Sequence, residues 1–122
     1  KVVGSTFSHV LGGGATTGCA TTGAATSVAL SAPEGVAVDD SGRVLVAEAS
    51  RRCVRAVNGG TYSRVALTGT NSSIGDNGPA LSATMLAPSG IAVSADGDLV
   101  LSDRSASAGG SEIRRIIGPW PL

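Results

Sequence analysis

The sequence predicts an all-β protein made of two similar units, each a set of four short antiparallel strands. The chain repeats itself at an offset of 55 residues, since SAPEGVAVDDSGRVLVAE at 31–48 returns as LAPSGIAVSADGDLVLSD at 86–103. Turn-forming Asp, Ser and Gly residues separate short apolar runs, and no segment keeps the apolar spacing of a helix. A fixed period of this length is typical of a repeat protein, in which one copy cannot bury its faces alone.

The alignment of the chain with itself extends over most of the 122 residues. It places Phe7 on Tyr62 and Gly35 on Gly90. It is interrupted only where the nine residues 104–112 replace the five residues 49–53, and it resumes with VRAV over IRRI. Residues that this alignment pairs are called equivalent below.

Each copy contains four predicted strands in the same order. The first, GVAV or GIAV, follows a Pro-x-Gly segment that sets a tight beginning. The turns DDSG and SADG combine Asp or Ser, which bond to the backbone, with a Gly that tolerates positive φ. The second strand, RVLVAE or DLVLSD, is nearly all apolar, so we expect it to be covered on both faces. The third, VRAV or IRRII, alternates like a strand nearer an edge, and the fourth is YSRVAL or FSHVL.

Four antiparallel strands per copy match one blade of a β-propeller. The pattern P-x-G-V-A-V-D-x-x-G, an apolar strand ending in an acid and a V/I-R-x-V/I strand together resemble the NHL repeat of β-propellers. Residues 69–88, GTNSSIGDNGPALSATMLAP, resemble the glycine-rich connection of the long NHL subtype. The resemblance implies an outer strand of a preceding or shared blade at 1–14, blade 1 at 15–67, and blade 2 at 68–122 without its outer strand.

Two blades cannot close a propeller, which needs roughly four to eight. Three arrangements would complete it: further blades of a longer chain, a ring of copies of this chain, or a head-to-tail filament in which each chain donates its N-terminal strand to the next. A strand edge left exposed is the least tolerated outcome. We favour the longer chain, with copies of the chain itself as the second interpretation. Both make the expected partner a protein.

The composition argues against several classes of function. Nine basic and nine acidic residues are scattered singly, which predicts no nucleic-acid partner, and the apolar runs are too short for a membrane span. His9 is the single histidine and is equivalent to Arg64, so we expect it to face solvent. One His and two Cys cannot build a zinc site. Some NHL-like propellers are metal-dependent lyases, but this sequence lacks the histidines that such chemistry requires. We predict no catalytic residue, no metal site and no cofactor.

The repeated charged residues have structural interpretations. Four aspartates lie in predicted hairpin turns, and turn formation explains them better than calcium binding does; they are Asp39, Asp40, Asp96 and Asp98. Glu48 and Asp103 end the second strands, and Arg55 and Arg114 lie one strand over. We therefore expect two equivalent and exposed ion pairs, Glu48 with Arg55 and Asp103 with Arg114. We also expect valine at Gly35 or Gly90 to prevent folding and His9→Ala to leave stability unchanged.

Three local features bear on the compartment. Cys19 and Cys53 form either one disulfide or two unpaired small side chains, since their number alone does not decide. Asn71-Ser72-Ser73 is an N-x-S acceptor on a predicted loop, which makes Asn71 the candidate for N-glycosylation. Together with a Ser/Thr-rich surface, these features favour a secreted or cell-surface location. A cytosolic scaffold is the alternative.

The function that fits these observations best is a non-catalytic NHL propeller module for protein–protein binding or structural assembly. One alternative is a self-assembling, glycosylated fibre or ring subunit that donates a strand. Another is a fragment of a propeller lyase or hydrolase. The inward strands offer only aspartates near their ends, which favours binding over catalysis.

Overall fold

A computed structural model describes residues 4–19, 22–72, 74–104 and 111–118. It confirms the all-β prediction and contains two antiparallel sheets. The five-stranded sheet has the order β1-β5-β4-β3-β2, and the three-stranded sheet has the order β6-β7-β8. The strands are β1 (Thr22–Ala24), β2 (Pro33–Val38), β3 (Val44–Glu48), β4 (Cys53–Asn58), β5 (Thr61–Ala66), β6 (Pro88–Val93), β7 (Leu99–Asp103) and β8 (Glu112–Ile116). A short 3-10 helix, Ala80–Ser82, lies in the connection between the sheets.

The two predicted hairpin turns have the same construction. In the first, the Asp39 carboxylate accepts hydrogen bonds from the backbone N–H groups of Ser41 and Arg43, and Gly42 has a φ of 82°. In the second, the Ser94 hydroxyl accepts from the backbone N–H of Asp98, and Gly97 has a φ of 87°. Asp and Ser therefore fill the same position because both carry a short side-chain oxygen that satisfies the turn backbone.

The burial of the strands agrees with the prediction for β3 and corrects it for β4. Residues 45–48 of β3 are all buried, so both faces of this strand are covered as expected. In β4 every residue but Asn58 is buried, although its sequence alternates like an edge strand. The reason is that β4 lies between β3 and β5, that its Val54 and Ala56 pack against the three-stranded sheet, and that the loop holding Gly18 and Cys19 covers its other face. In β8 half-buried and exposed residues do alternate.

The N-terminal part of the chain differs in one respect from the four-strand pattern. Strand β1 adds a fifth strand to the first sheet and has no counterpart in the sequence prediction. Residues 4–14, within the segment assigned to an outer strand of a preceding or shared blade, form no strand with the described residues. That assignment concerns pairing with another sheet and stays a prediction.

The two sheets pack face to face through opposite faces of the repeat. The face of the five-stranded sheet that carries Leu45, Ala47 and Val54 is called its forward face. It packs against the backward face of the three-stranded sheet, which carries Leu99 and Leu101. The partly buried side chains of Ile91, Val93 and Ile116 join this core from the same backward face. Small Ala residues alternate with branched ones, so the two sheets can approach closely.

Gly35 sits at the closest approach of the two sheets. A Cβ atom built on Gly35 would lie 1.9 Å from the backbone oxygen of Ser89 and 3.0 Å from a methyl carbon of Ile91. Because the atom in the way belongs to the backbone of β6, a side chain at position 35 would fit only if the two sheets moved apart. Gly90, the equivalent glycine, meets only the Ser102 side chain, with the hydroxyl at 2.7 Å, and it is exposed. The two glycines therefore have different surroundings, and the expectation that valine at either position prevents folding stays a prediction.

We predict that Gly35→Ala destabilises the fold by about 3 kcal/mol or more, because the methyl group forces the sheets apart. Gly90→Ala costs less than about 1 kcal/mol, because only the Ser102 side chain has to turn away. Urea unfolding of the two variants beside the parent chain measures both values. Equal losses at the two positions would contradict the assigned packing of the sheets.

Candidate interaction site

The acid that ends the second strand holds the beginning of the first strand in each repeat. The Glu48 carboxylate accepts a hydrogen bond from the backbone N–H of Ser31 at 3.0 Å. The Asp103 carboxylate accepts from Leu86, which is equivalent to Ser31, at 3.0 Å and from Ala87 at 2.9 Å. Both acids are fully or almost fully buried. Their repeated role is to satisfy the backbone that leads into β2 and β6.

Glu48 also forms a buried ion pair with Arg55. The Arg55 Nε atom lies 2.5 Å from a carboxylate oxygen of Glu48, and both side chains have 0% exposure. The expectation that these residues are exposed is wrong, because β5 and the connecting loop cover this part of β4. Arg55 further donates to the backbone oxygen of Gly18 at 2.6 Å, and its guanidinium lies 4.8 Å from the centre of the Tyr62 ring. The pair therefore fixes a loop and an aromatic side chain together.

Arg114, the equivalent of Arg55, has a different acidic partner. It donates to the Asp76 carboxylate at 2.9 Å and to the backbone oxygens of Thr84 and Ile74. Among the described residues no ion pair joins it to Asp103, so the second predicted pair is corrected to Arg114 with Asp76. Aspartate is one methylene shorter than glutamate, and the glycine-rich loop of the second copy supplies its own carboxylate. Both arginines nevertheless hold the loop that crosses their sheet.

A disulfide joins Cys19 to Cys53, with 6.2 Å between their Cα atoms. It ties the loop that crosses the backward face of the five-stranded sheet to the first residue of β4. In the chain-entropy account, closing a loop of this length contributes about 4 kcal/mol to stability. The alternative of two unpaired cysteines does not apply to this structure.

The four turn aspartates differ in their surroundings. Asp39 pairs with Arg43, and its carboxylate also accepts the two turn N–H groups. Burial by itself raises the pKa of Asp39, but the hydrogen bonds and charge of Arg43 and the Ser41 N–H outweigh it, so the pKa lies below its usual value. Asp98 accepts a hydrogen bond from the backbone N–H of Gly118, whereas Asp40 and Asp96 are exposed. In the described ranges no three His, Cys, Asp or Glu side chains gather where they could hold a metal ion.

The remaining predicted positions lie at the surface. His9 is exposed, while its equivalent Arg64 is half-buried and donates to the backbone oxygens of Leu67 and Leu81. Asn71 is exposed on the loop between the sheets, but Ser73 of its N-x-S triplet lies outside the described residues. Glycosylation of Asn71 stays a prediction. No helix in the described part of the chain is long and apolar enough to cross a membrane.

The backward face of the five-stranded sheet is partly uncovered. Val36 and Val38 of β2 are 65% and 60% exposed. Their equivalents in β6, Ile91 and Val93, pack into the core between the sheets. The same positions of the repeat are thus covered in one sheet and open in the other. The five-stranded sheet covers the backward face of β6, whereas no sheet of the described residues covers the backward face of β2.

The forward face of the three-stranded sheet is open in the complementary way. Ile113 is 70% exposed, whereas its equivalent Val54 is 0% exposed in the core. Gly90 and Ala92 of β6 are exposed on this face, and Val100 is half-buried. The molecule therefore leaves uncovered, at its two ends, the faces whose equivalents pack together in its middle.

The two forward faces differ in that Arg115, which is exposed, stands where the packed face has Ala56, and Ser102 stands where it has Ala47. Exposed apolar side chains that lie side by side, as Val36 and Val38 do, are typical of an interaction surface.

A cavity of about 330 Å³ lies between the glycine-rich loop and β8. Ala80, Ala83 and Ile116 give it an apolar side, and Asp76 and Arg114 give it a charged side. It opens beside β8, the last strand of the three-stranded sheet. We call this cavity the socket. No local sequence pattern predicts this cavity, although the second copy is expected to lack an outer strand equivalent to β5.

No protein-family model matches the chain, and a search of curated proteins finds no match to it.

We predict that the stability contributed by Asp39 depends on pH. Since its pKa is lower in the folded state, the contribution is complete above about pH 4 and is lost as the pH falls through the folded value. Asp39→Asn keeps the side-chain oxygen but loses the charge, so it costs about 1 kcal/mol at pH 7 and less at pH 3. Asp40→Asn is the matched control. A pH-independent Asp39→Asn effect in urea unfolding would contradict this assignment.

We predict that removing one partner of the Glu48 and Arg55 pair costs about 3–5 kcal/mol, because the other is left buried without a counter-charge. The double variant Glu48→Gln/Arg55→Met loses less than the sum of the two single variants. The control is the exposed pair of Glu34 with Arg104, where Glu34→Gln costs less than about 1 kcal/mol. Denaturant unfolding of the complete set measures the coupling, and additivity would show that the pair does not act as a unit.

Proposed function

We propose that this chain is a non-catalytic β-propeller module of the NHL type, whose function is protein–protein binding or structural assembly through the open faces of its two sheets. The observation that carries the proposal is the difference between β2 and β6. Val36 and Val38 are exposed where Ile91 and Val93 are packed, so the repeat specifies a covering sheet that the chain itself does not provide. The partner that fits is another sheet of the same type.

The contacts of the charged residues also support binding over catalysis. Glu48 and Asp103 satisfy backbone groups, Arg55 and Arg114 hold loops, and Asp39 forms a turn. Each is therefore engaged in maintaining the fold, and a general acid or base needs a side chain that reaches a substrate. The same residue types in the same roles in both repeats are what a structural module requires.

The disulfide supports a secreted or cell-surface location. A bridge between Cys19 and Cys53 persists in an oxidising compartment and is rare in the cytosol. The exposed position of Asn71 leaves room for a glycan. Cys53 is fully buried and Asn71 lies on the loop between the sheets, so both features are compatible with the proposed assembly.

Carbene footprinting of the protein as isolated from its natural source, compared with the isolated 122-residue chain, tests this proposal. We expect Val36, Val38 and Ile113 to be labelled in the isolated chain, diluted until sedimentation shows a monomer, and at least several-fold less in the natural assembly. Ile74, which is 67% exposed and lies on neither face, serves as the control and should be labelled equally in both. Equal labelling of the three face residues in both samples would overturn the proposal.

A further inference from the structure

No described strand pairs with the outer edge of β8, whereas β5 pairs with the equivalent strand β4. In the first repeat β4 pairs with β5 through the register Val57 to Tyr62 and Ala56 to Ser63. In the second repeat β8 pairs with β7, and no other strand of the described residues pairs with it. An unpaired strand edge is a template for another chain.

Tyr62 shows what the missing strand would place against the sheet. Its side chain is 2% exposed and packs with Ala25, Val28 and Val57. Gly23 lies beneath the ring, since a Cβ built there would come within 2.9 Å of it. An aromatic anchor of the outer strand therefore fills a pocket made by the loop, the third strand and Arg55.

The socket is the same pocket in the second repeat. Its lining residues Ala80, Ala83, Ile116 and Arg114 are the equivalents of the Ala25, Val28, Val57 and Arg55 that surround Tyr62. Gly78, the equivalent of Gly23, also lines it. The socket is thus shaped by the repeat to receive an aromatic side chain, and the described residues place none in it.

Phe7 is the residue that the repeat assigns to this place. It is equivalent to Tyr62, and its segment FSHV matches YSRV. Its side chain is fully exposed at 105%, which is unusual for the single phenylalanine of a chain so poor in aromatic residues. Among the described residues there is thus an aromatic side chain without a pocket and a pocket without an aromatic side chain.

We propose that the socket binds Phe7 of a second copy of this chain, and that residues 6–10 of that copy add to β8 as an antiparallel fourth strand. The register of β4 with β5 places Phe7 opposite Ile116 and Ser8 opposite Arg115. The proposal rests on the proposed function, because it names the partner that covers the open faces.

Phe7 does not occupy the socket of its own chain in this structure, where its side chain is fully exposed. Leu11 packs on the backward face of the five-stranded sheet, and the Gly12 N–H donates to the backbone oxygen of Ala25. By equivalence with β5, Phe7 belongs to a sheet that would pack on this backward face, two sheet spacings or about 20 Å from the three-stranded sheet. The repeat thus assigns Phe7 to a neighbouring sheet and not to the sheet of its own socket. A second copy of the chain can bring its Phe7 to that socket.

A single arrangement of two copies would both fill the socket and cover the open faces. Within the chain, β5 continues through the loop 67–85 into β6, whose Ile91 and Val93 cover the forward face of the first sheet. If a second copy packs on the three-stranded sheet in the same way, its Phe7 lies in the socket of the first copy. Its Val36 and Val38 then cover the forward face on which the first copy displays Ile113. The interface is heterologous, so repetition leads to a ring or a filament.

A cross-link tests the register. In the double variant Ser8→Cys/Arg115→Cys, mild oxidation should give a disulfide between chains, identified by mass spectrometry of the linked peptides. Ser5→Cys/Arg115→Cys is the matched control, because its cysteines lie three residues out of register and should link at least tenfold less. Equal linking in both double variants, or linking only within one chain, would overturn the proposal.

Complementation tests the exchange between copies. We expect Phe7→Ala to weaken self-association roughly thirtyfold in sedimentation velocity, as loss of a buried aromatic side chain predicts. Ile74→Ala removes another exposed apolar side chain and should leave association unchanged. Ala80→Phe fills the socket and should be monomeric alone, yet an equal mixture with Phe7→Ala should give a heterodimer, because one open socket and one intact Phe7 remain.

The Phe7→Ala variant cannot fail by misfolding, since the side chain is fully exposed. Association unchanged in Phe7→Ala, or the absence of self-association in the parent chain, would overturn the second-copy proposal. If the open faces are nevertheless protected in the natural assembly, the proposed function stands and the covering sheet belongs to another partner. If the faces are not protected either, both proposals fail.

Discussion

The close approach of Gly35 to the backbone of Ser89 is the constraint on which the rest of the structure depends. With no side chain at this position, the first strands of the two sheets come into direct contact, and the branched side chains of one sheet reach the alanines of the other. Every larger residue would separate the sheets and open the core. Because the equivalent Gly90 is exposed, the same contact surface is presented again at the end of the chain.

The buried charges make this packing repeatable. Glu48 and Asp103 bind the backbone that leads into the first strands, while Arg55 and Arg114 hold the loops that cross the backward faces. A buried charge is costly unless it is paired and hydrogen-bonded, so these groups specify one geometry and exclude shifted ones. The loops in turn shape the pocket for an aromatic side chain, which Tyr62 fills in one repeat and which is open in the other.

Much of the fold could be predicted from the sequence, because turns and apolar runs are local signals. The turns at Asp39 and Ser94, the seven strands of the two copies and the buried β3 follow from them. Strand β1 could not be predicted, since Thr22–Ala24 is held only by pairing with β5. The ion pair of Arg114 with Asp76 could not be predicted, because the repeat points to Asp103 as the partner of Arg114.

The candidate site illustrates the same limit. The period predicts that Phe7 and Tyr62 have equivalent roles, and the unmatched outer strand predicts an incomplete second copy. The socket itself depends on how the loop 75–85 lies over β8, and that is a tertiary arrangement that no local pattern encodes. Which faces of the sheets are uncovered likewise depends on tertiary packing, as the exposed side chains of Val36 and Ile113 show.

Amide hydrogen exchange of β8 measured over a range of protein concentrations tests the central claim most directly. If each copy completes the sheet of the next, the β8 amides that face away from β7 become protected as concentration rises, while those of the buried β3 stay constant. Exchange in β8 that does not change with concentration, up to the highest at which the chain is soluble, would contradict the account.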